Sequence, residues 1–430
     1  MTWFWPEGFY TLAMVGSFAL GAFALRLPIA VAMSAAAIVG GLLAGFGVPV
    51  RHLVEGMFGY IDTTLIIACA MIFMRTVQDI GLLEAVASRG IRKFRGRPVL
   101  LSAGVMFLIM LPGMLTGSST AACLTTGALV APILLRLGVP PPHAAAAIAL
   151  GAIYGMIAPP VSIPVMIIGG GIDMPYVGFA LPLLFATVPL ALMVSLFLIY
   201  PWLRKKDSID ETGLEAELSR MEKAPLTFRL FLPFSVLIVL MALEQFFPER
   251  FFIGMPLQFL IASASAAFCG QKWNPIASGT RAVNDALPVL GILMGVGMFV
   301  QIMTLNGVRG FVSVSALNIP PWLLYVSIVV SIPLFGAISS FGAASVLGVP
   351  FILALLDRNQ ILAGTALALI AGLGDLVPPT ALAGIFAAQV VGEKNYFKAL
   401  VKCALPGILT ALWGVAIIAW AEKLTPFLTR

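Results

Sequence analysis

The sequence predicts an all-α polytopic membrane protein of two inverted repeats, each with five transmembrane helices, one re-entrant hairpin and one broken helix. Three observations carry this expectation. Of 430 residues, 60% are hydrophobic and only 10% are charged, where soluble domains carry roughly a quarter charged residues. Two apolar stretches, Leu111–Val161 and Pro333–Thr380, share one plan: a Gly/Ser cluster followed by a Pro-Pro pair. Helix-breaking polar residues at membrane depth are tolerated only where the backbone is buried in protein or lines a cavity. The third observation is the placement of Lys and Arg, which fits one orientation of the spans and inverts the second half against the first.

The elements follow from runs and breaks, since a spanning helix needs about 20 apolar residues. The first three spans fall at about 9–25, 28–47 and 58–76. The first ten residues, MTWFWPEGFY, carry Glu7 and no Lys or Arg, which reads as a mature start and not a signal peptide. Trp3, Trp5 and Tyr10 fit an interfacial aromatic belt. Val77–Arg97 is amphipathic and basic, a helix lying along the interface. Pro98–Leu137 is apolar but folds back at Gly117–Thr120, as a hairpin and not two spans. Pro142–Gly170 is a span broken at Gly155–Pro160, and Pro175–Leu203 is the fifth full span. Lys205–Arg229, the one strongly polar run, reads as a solvated linker with helix in GLEAELSRMEK.

The second half repeats the order: spans at about 230–246, 252–270 and 286–304, an interfacial piece at 305–320, a hairpin at 321–356, a broken span at 361–391 and a last span at 398–421. The organisation is therefore a first repeat, 1–203 (hairpin 98–137, broken helix 142–170), a linker, 204–229, and a second repeat, 230–430 (hairpin 321–356, broken helix 361–391). A shift of 221 places Ser118 on Ser339, Ser119 on Ser340 and Gly127 on Gly348. A shift of 219 places Gly155 on Gly374, Pro159 on Pro378 and Pro160 on Pro379, and a shift of 226 places Gly81 on Gly307. Single Gly matches mean little in this composition; the ordered set points to a duplication.

Five crossings per half invert the second half. With the N-terminus outside, six of the 25 Lys and Arg lie outside (Arg51, Arg250, Arg309, Arg358, Lys423, Arg430), leaving 25 − 6 = 19 inside. That bias sets both termini extracytoplasmic and the linker cytoplasmic. The net charge of +6 is thus a topology signal and not a nucleic-acid one. Cys69, Cys123, Cys269 and Cys403 are far apart in apolar runs, so neither a zinc site nor a disulfide framework is expected. No Walker A sequence and no nucleophile–base pair is present, and GGGID at 169–173 follows no strand, so no enzyme activity is expected.

Hairpin tips and helix breaks free backbone N–H and C=O groups that have no intrahelical partner. N–H ends suit anions and carbonyl ends suit cations. Gly117, Ser118, Ser119 and Thr120, with Ser339, Ser340 and Gly342, are the tip residues; Gly155, Pro159, Pro160, Gly374, Pro378 and Pro379 are the break residues. A lone Ser packs helices. Two tips in register, each followed by a Pro-Pro break, form a polar chamber with few formal charges. Asp375 is the acid inside the second break, opposite Met156 in the first half. A buried membrane acid costs several kcal/mol and marks a functional site, so Asp375 is the candidate sodium ligand or protonatable coupling group. Asp62, in GYIDTT, reads as a helix N-cap.

GSSTAACLTTGALVAP, then an Ala-rich span and GMIAPPVSIPVMIIGG, with the earlier LRLPIAVAM and AMIFMRTVQDIGLL, resemble the large membrane subunit of tripartite ATP-independent periplasmic (TRAP) transporters. The resemblance covers about residues 10–420 and is densest at 111–170. It implies an elevator-type, sodium-driven importer in a bacterial inner membrane. Its partners would be an extracytoplasmic substrate-binding protein and a small four-helix membrane subunit, and its substrate an organic acid such as a C4-dicarboxylate. Substrate would be held by Ser118, Ser119, Thr120, Pro159, Pro160, Ser339, Ser340, Pro378 and Pro379. Na+ would be held by Gly117, Ser118, Gly155, Ser339, Gly342, Gly374 and Asp375. Here Val161 follows the first Pro-Pro pair where the family has Ser, and Asp375 stands in for an acid the family carries in its second hairpin. The hairpins and broken helices are expected to move as one block against the other spans. A stand-alone ion-coupled carboxylate carrier is the alternative, and a channel a further one.

Overall fold

The computed structural model describes residues 5–205, 210–221, 227–247, 249–271, 273–317 and 319–429. Among these every regular element is helical, and eight helices are long and apolar enough to cross a membrane. α1 (Pro6–Ala19) continues through a π turn, and α2 (Ile29–Leu43) returns. α4 (Ile61–Asp79) is the third span; a short helix before it, α3 (Val50–Phe58), was not expected from the hydropathy because it is half polar. α5 (Leu82–Phe94) is the interfacial piece. α6 (Pro98–Thr116), α7 (Ser119–Ala122), a π turn (Cys123–Gly127) and α8 (Ala128–Arg136) make the first hairpin. α9 (Pro141–Ile157) and α10 (Ile163–Gly170) are the broken helix. α11 (Ala180–Val194), a further π turn and α12 (Tyr200–Leu203) close the half.

After α13 (Glu211–Met221) the second half runs α14 (Leu232–Phe246), α15 (Met255–Ala264), α16 (Pro275–Leu305), α17 (Val308–Leu317), α18 (Pro321–Ala354), α19 (Gln360–Gly372), α20 (Leu382–Val391), α21 (Tyr396–Ala419) and α22 (Ala421–Leu428). Start signals are local. Proline opens α1, α6, α9, α16 and α18, where no N–H is needed. The side chains of Asn274, Asn359 and Asn395 accept from the first free amides of α16, α19 and α21. Gly81 and Gly307, paired by the 226 shift, both sit at φ 76, a left-handed turn that glycine allows.

Packing sorts the helices into two bodies. In the frame, α16 lies along α2, α3 and α4, and α15 along α4. In the block, α6 packs on α9, α18 on α19 and α10, and α20 on α9. The block is larger than the sequence suggests: α11 and α21 pack on α9 and α19, so both belong with the hairpins. Periodicity in spans that are apolar all round does not say which neighbour they choose.

The arms of the second hairpin are Pro321–Ala337 and Ala344–Ala354, and the side chains at its tip, those of Ser339 and Ser340 among them, lie outside the described residues. The element doubles back. A Cβ on Gly336 would lie 3.4 Å from Ala344 Cβ, whereas eight residues of straight helix span about 12 Å.

The described part of the linker, 210–221, is docked on the protein. Leu214 and Leu218 are fully buried, and α13 rests on α5 and α8. Arg92 pairs with Glu215 at 2.6 Å, Arg136 with Asp210 at 2.6 Å, and Arg95 with Glu211. The Gly213 amide first, and then the Arg136 guanidinium, hold the Asp210 carboxyl below its ordinary value. A depressed carboxylate adds stability in full above its unfolded value, about 4, and loses it as pH falls through the lower folded value. A spin label at exposed Ala216 is therefore expected to keep its mobility from neutral pH down to about 4 and to gain mobility below it.

Candidate functional site

The first tip is built by hydrogen bonds within five residues. The Thr116 hydroxyl donates to Pro112 O at 2.7 Å, and the Ser118 amide donates to Thr116 Oγ1 at 3.3 Å. Gly117 turns the chain at φ 64, and Ser118 Oγ then caps α7 by accepting the Ala121 amide at 3.2 Å. Only glycine fits at 117, because a Cβ there would lie 2.4 Å from Ile163 Cγ1 at the start of α10. The break, Ala158–Ser162, is fastened to the same hairpin: the Val161 amide donates to Met114 O at 3.1 Å. Gly155 lets α9 reach α6, since a Cβ there would meet Met110 O at 2.3 Å.

The second half repeats the contact. A Cβ on Gly336 would sit 2.4 Å from Gly374 Cα, and the Thr380 hydroxyl donates to Gly336 O at 3.0 Å. Pro159–Pro160 and Pro378–Pro379 are both cis.

The halves meet at the first tip. The Ser119 hydroxyl donates to the Asp375 carboxylate, and both residues are fully buried. Cys123 Sγ donates to Ala383 O at 3.7 Å, and Tyr154 and Thr410 share a hydrogen bond of 2.8 Å. Thus Gly117, Ser118, Ser119, Gly374 and Asp375 form one buried group, with Thr120 half-buried at its edge. Gly155 is buried on α6. Pro159 and Pro160 are half-buried beside a cleft, while Pro378 and Pro379 are exposed. Gly342 is buried, and a Cβ there would meet Ile292 of the frame at 3.1 Å. The Ser339 and Ser340 side chains lie outside the described residues. A carboxylate, a hydroxyl and the free carbonyls of two interrupted helices are hard oxygen donors, the set a monovalent cation takes.

A side-chain hydrogen bond joins frame to block. The Tyr60 hydroxyl, between α3 and α4, donates to Ile167 O in α10 at 3.0 Å. Ile167 O also accepts the Gly171 amide at 3.1 Å, so Tyr60→Phe strands no acceptor. It is expected to cost about 1 kcal/mol, read as faster hydrogen exchange in α10 with α6 unchanged.

A cleft of about 440 Å³ runs between the two bodies. Pro159, Pro160 and Tyr176–Ala180 form its block wall, and α14 and α15 its frame wall, where Glu244 meets Gln258. The sequence reading passed over Glu244. Its signal was present, an acid inside the apolar run LPFSVLIVLMALEQF.

A family model described as "Tripartite ATP-independent periplasmic transporter, DctM component" matches residues 15–424. Two solved structures share the fold. The Alcanivorax borkumensis YdaH transporter has a TM-score of 0.61 at 17% identity, covering 86% of this chain and 87% of that one. Neisseria gonorrhoeae MtrF, described among a class of antimetabolite efflux pumps, has a TM-score of 0.61 at 15% identity, covering 86% and 83%. No curated protein sequence matches the chain significantly.

Proposed function

The chain belongs to the DctM-component family of tripartite ATP-independent periplasmic transporters, and on that premise we propose that it is the sodium-coupled permease of such a system, importing a small organic carboxylate. The reading rests most on the buried contact of Ser119 with Asp375, which joins the first tip to the second break. A membrane-buried acid held by a hydroxyl between two freed helix ends suits a coupling ion better than packing. Neither 98–135 nor 359–393 contains a Lys or Arg. The substrate carboxylate is then balanced by bound Na+ and by helix-end amides. The tips and breaks ride together in the block, so the site moves whole while the frame stays. An extracytoplasmic substrate-binding protein and a small four-helix subunit complete the system, in a bacterial inner membrane with both termini outside. The same buried acid also serves a stand-alone, proton-coupled carboxylate carrier, which is the second reading.

The test needs neither substrate nor partner. Purified protein is unfolded thermally in NaCl and in KCl at equal ionic strength. A ligand at 100 times its dissociation constant adds about 2.7 kcal/mol. A sodium-specific rise in midpoint that shrinks in Asp375→Asn is expected. Equal midpoints in the two salts shift the reading to proton coupling.

A further inference from the structure

We propose that the cleft between frame and block recognises a solute carrying a hydrogen-bond donor, a hydroxyl or ammonium group, beside its carboxylate, and that Glu244 is the acceptor. The proposal rests on the transport reading above and narrows its substrate class. The cleft, at about 440 Å³, falls in the range of small-molecule sites, roughly 300–1,000 Å³. It reaches Pro159 and Pro160 of the first break, two of the residues the sequence assigns to substrate. Its frame wall offers Met241, Phe252 and Met255 to a carbon skeleton, and Glu244, Gln245 and Gln258 to polar groups.

Glu244 is set in place before any solute arrives. Its Oε2 accepts the Gly254 amide at 3.2 Å and the side-chain amide of Gln258. Gln258 is only 2% exposed, which fixes the carboxylate against the wall. No hydrogen bond to Oε1 is present among the described residues. A bare dianion in this cleft meets an acid and no Lys or Arg among the lining residues, and like charges brought together are repelled. A donor on the solute turns the same oxygen into an anchor. Sites built to bond a substrate O–H or N–H reject the analogue lacking it far more strongly than apolar pockets reject a missing methylene. Glu244 stands on α14, in the frame. It therefore meets the solute in one position of the block and loses it in the other, which gives direction to release.

The experiment uses the purified full chain in NaCl. Its thermal midpoint is titrated with succinate, malate and aspartate, one four-carbon diacid bearing no donor, a hydroxyl or an ammonium group. Malate or aspartate is expected to act at concentrations at least about tenfold below succinate. Glu244→Gln keeps an acceptor for Gly254 and removes the charge. It is expected to bring the three acids within about twofold of one another while the sodium-specific rise remains. Equal action of the three acids on the native protein overturns the proposal without any variant. A response to succinate alone also overturns it and leaves the carboxylate reading standing. Preference unchanged in Glu244→Gln removes Glu244 from the role. No response to any diacid, with the sodium response intact, overturns this proposal and the carboxylate reading, while the coupling ion stands.

Discussion

Asp375→Asn is expected to lower sodium-driven uptake in proteoliposomes by about 100-fold or more and to leave the protein folded. Residues one shell away from a bound metal already cost 10–100-fold when changed, and Asp375 is proposed as a direct ligand. Asn fills the same space and accepts the Ser119 hydroxyl as Asp does, so the tip keeps its shape. A charged group is costlier to bury than a neutral amide of the same shape. The midpoint in KCl is therefore expected to hold or rise while uptake collapses. Asp375→Ala differs, because it leaves the buried Ser119 hydroxyl without this acceptor, at about 1–3 kcal/mol. Uptake that survives Asp375→Asn at the native rate and keeps its sodium dependence would remove Asp375 from the coupling site.

Gly155→Ala is expected to be strongly destabilising. The added Cβ would lie 2.3 Å from Met110 O and 2.7 Å from Met110 Cα. Both atoms are backbone of α6, so relief requires moving a helix and not a side chain. Overpacking of this kind costs about 1–3 kcal/mol and occasionally more. Gly336→Ala meets Gly374 Cα at 2.4 Å and is expected to match it. Gly104→Ala is the control on α6: nothing lies within 4 Å of its Cβ, and Ala in a helix gains roughly 0.5–1 kcal/mol over Gly. Opposite shifts of the thermal midpoint are expected for residues 104 and 155. A neutral Gly155→Ala would show that α6 and α9 do not touch at the break.

The first turn and the helix breaks were readable from the chain because a bilayer punishes unpaired backbone. Gly117–Thr120 turns the chain as expected, while the first break falls at Ala158–Ser162 and not at Gly155–Pro160, so Gly155 stays inside α9. α5 was readable from its basic, amphipathic pattern. α13 was readable as a helix, but not as a docked one. Leu214 and Leu218 lie four apart, a spacing that marks a face without saying what covers it. The Ser pair of the second tip mirrors the first in sequence, and its side chains lie outside the described residues.

By itself the sequence determined that this chain spans a membrane and where its apolar stretches are interrupted. Those properties depend on composition and on local backbone rules, which act within about one turn of helix or one bilayer thickness. Only the tertiary structure decided that Ser119 and Asp375, 256 positions apart, share a hydrogen bond. It also placed α11 and α21 with the block and set Glu244 facing the first break. The physical reason is that a helix apolar on every face carries no record of its neighbour. In lipid the choice is made by close packing of small residues and by scarce polar contacts. Both are properties of paired surfaces that exist only once the two halves have come together.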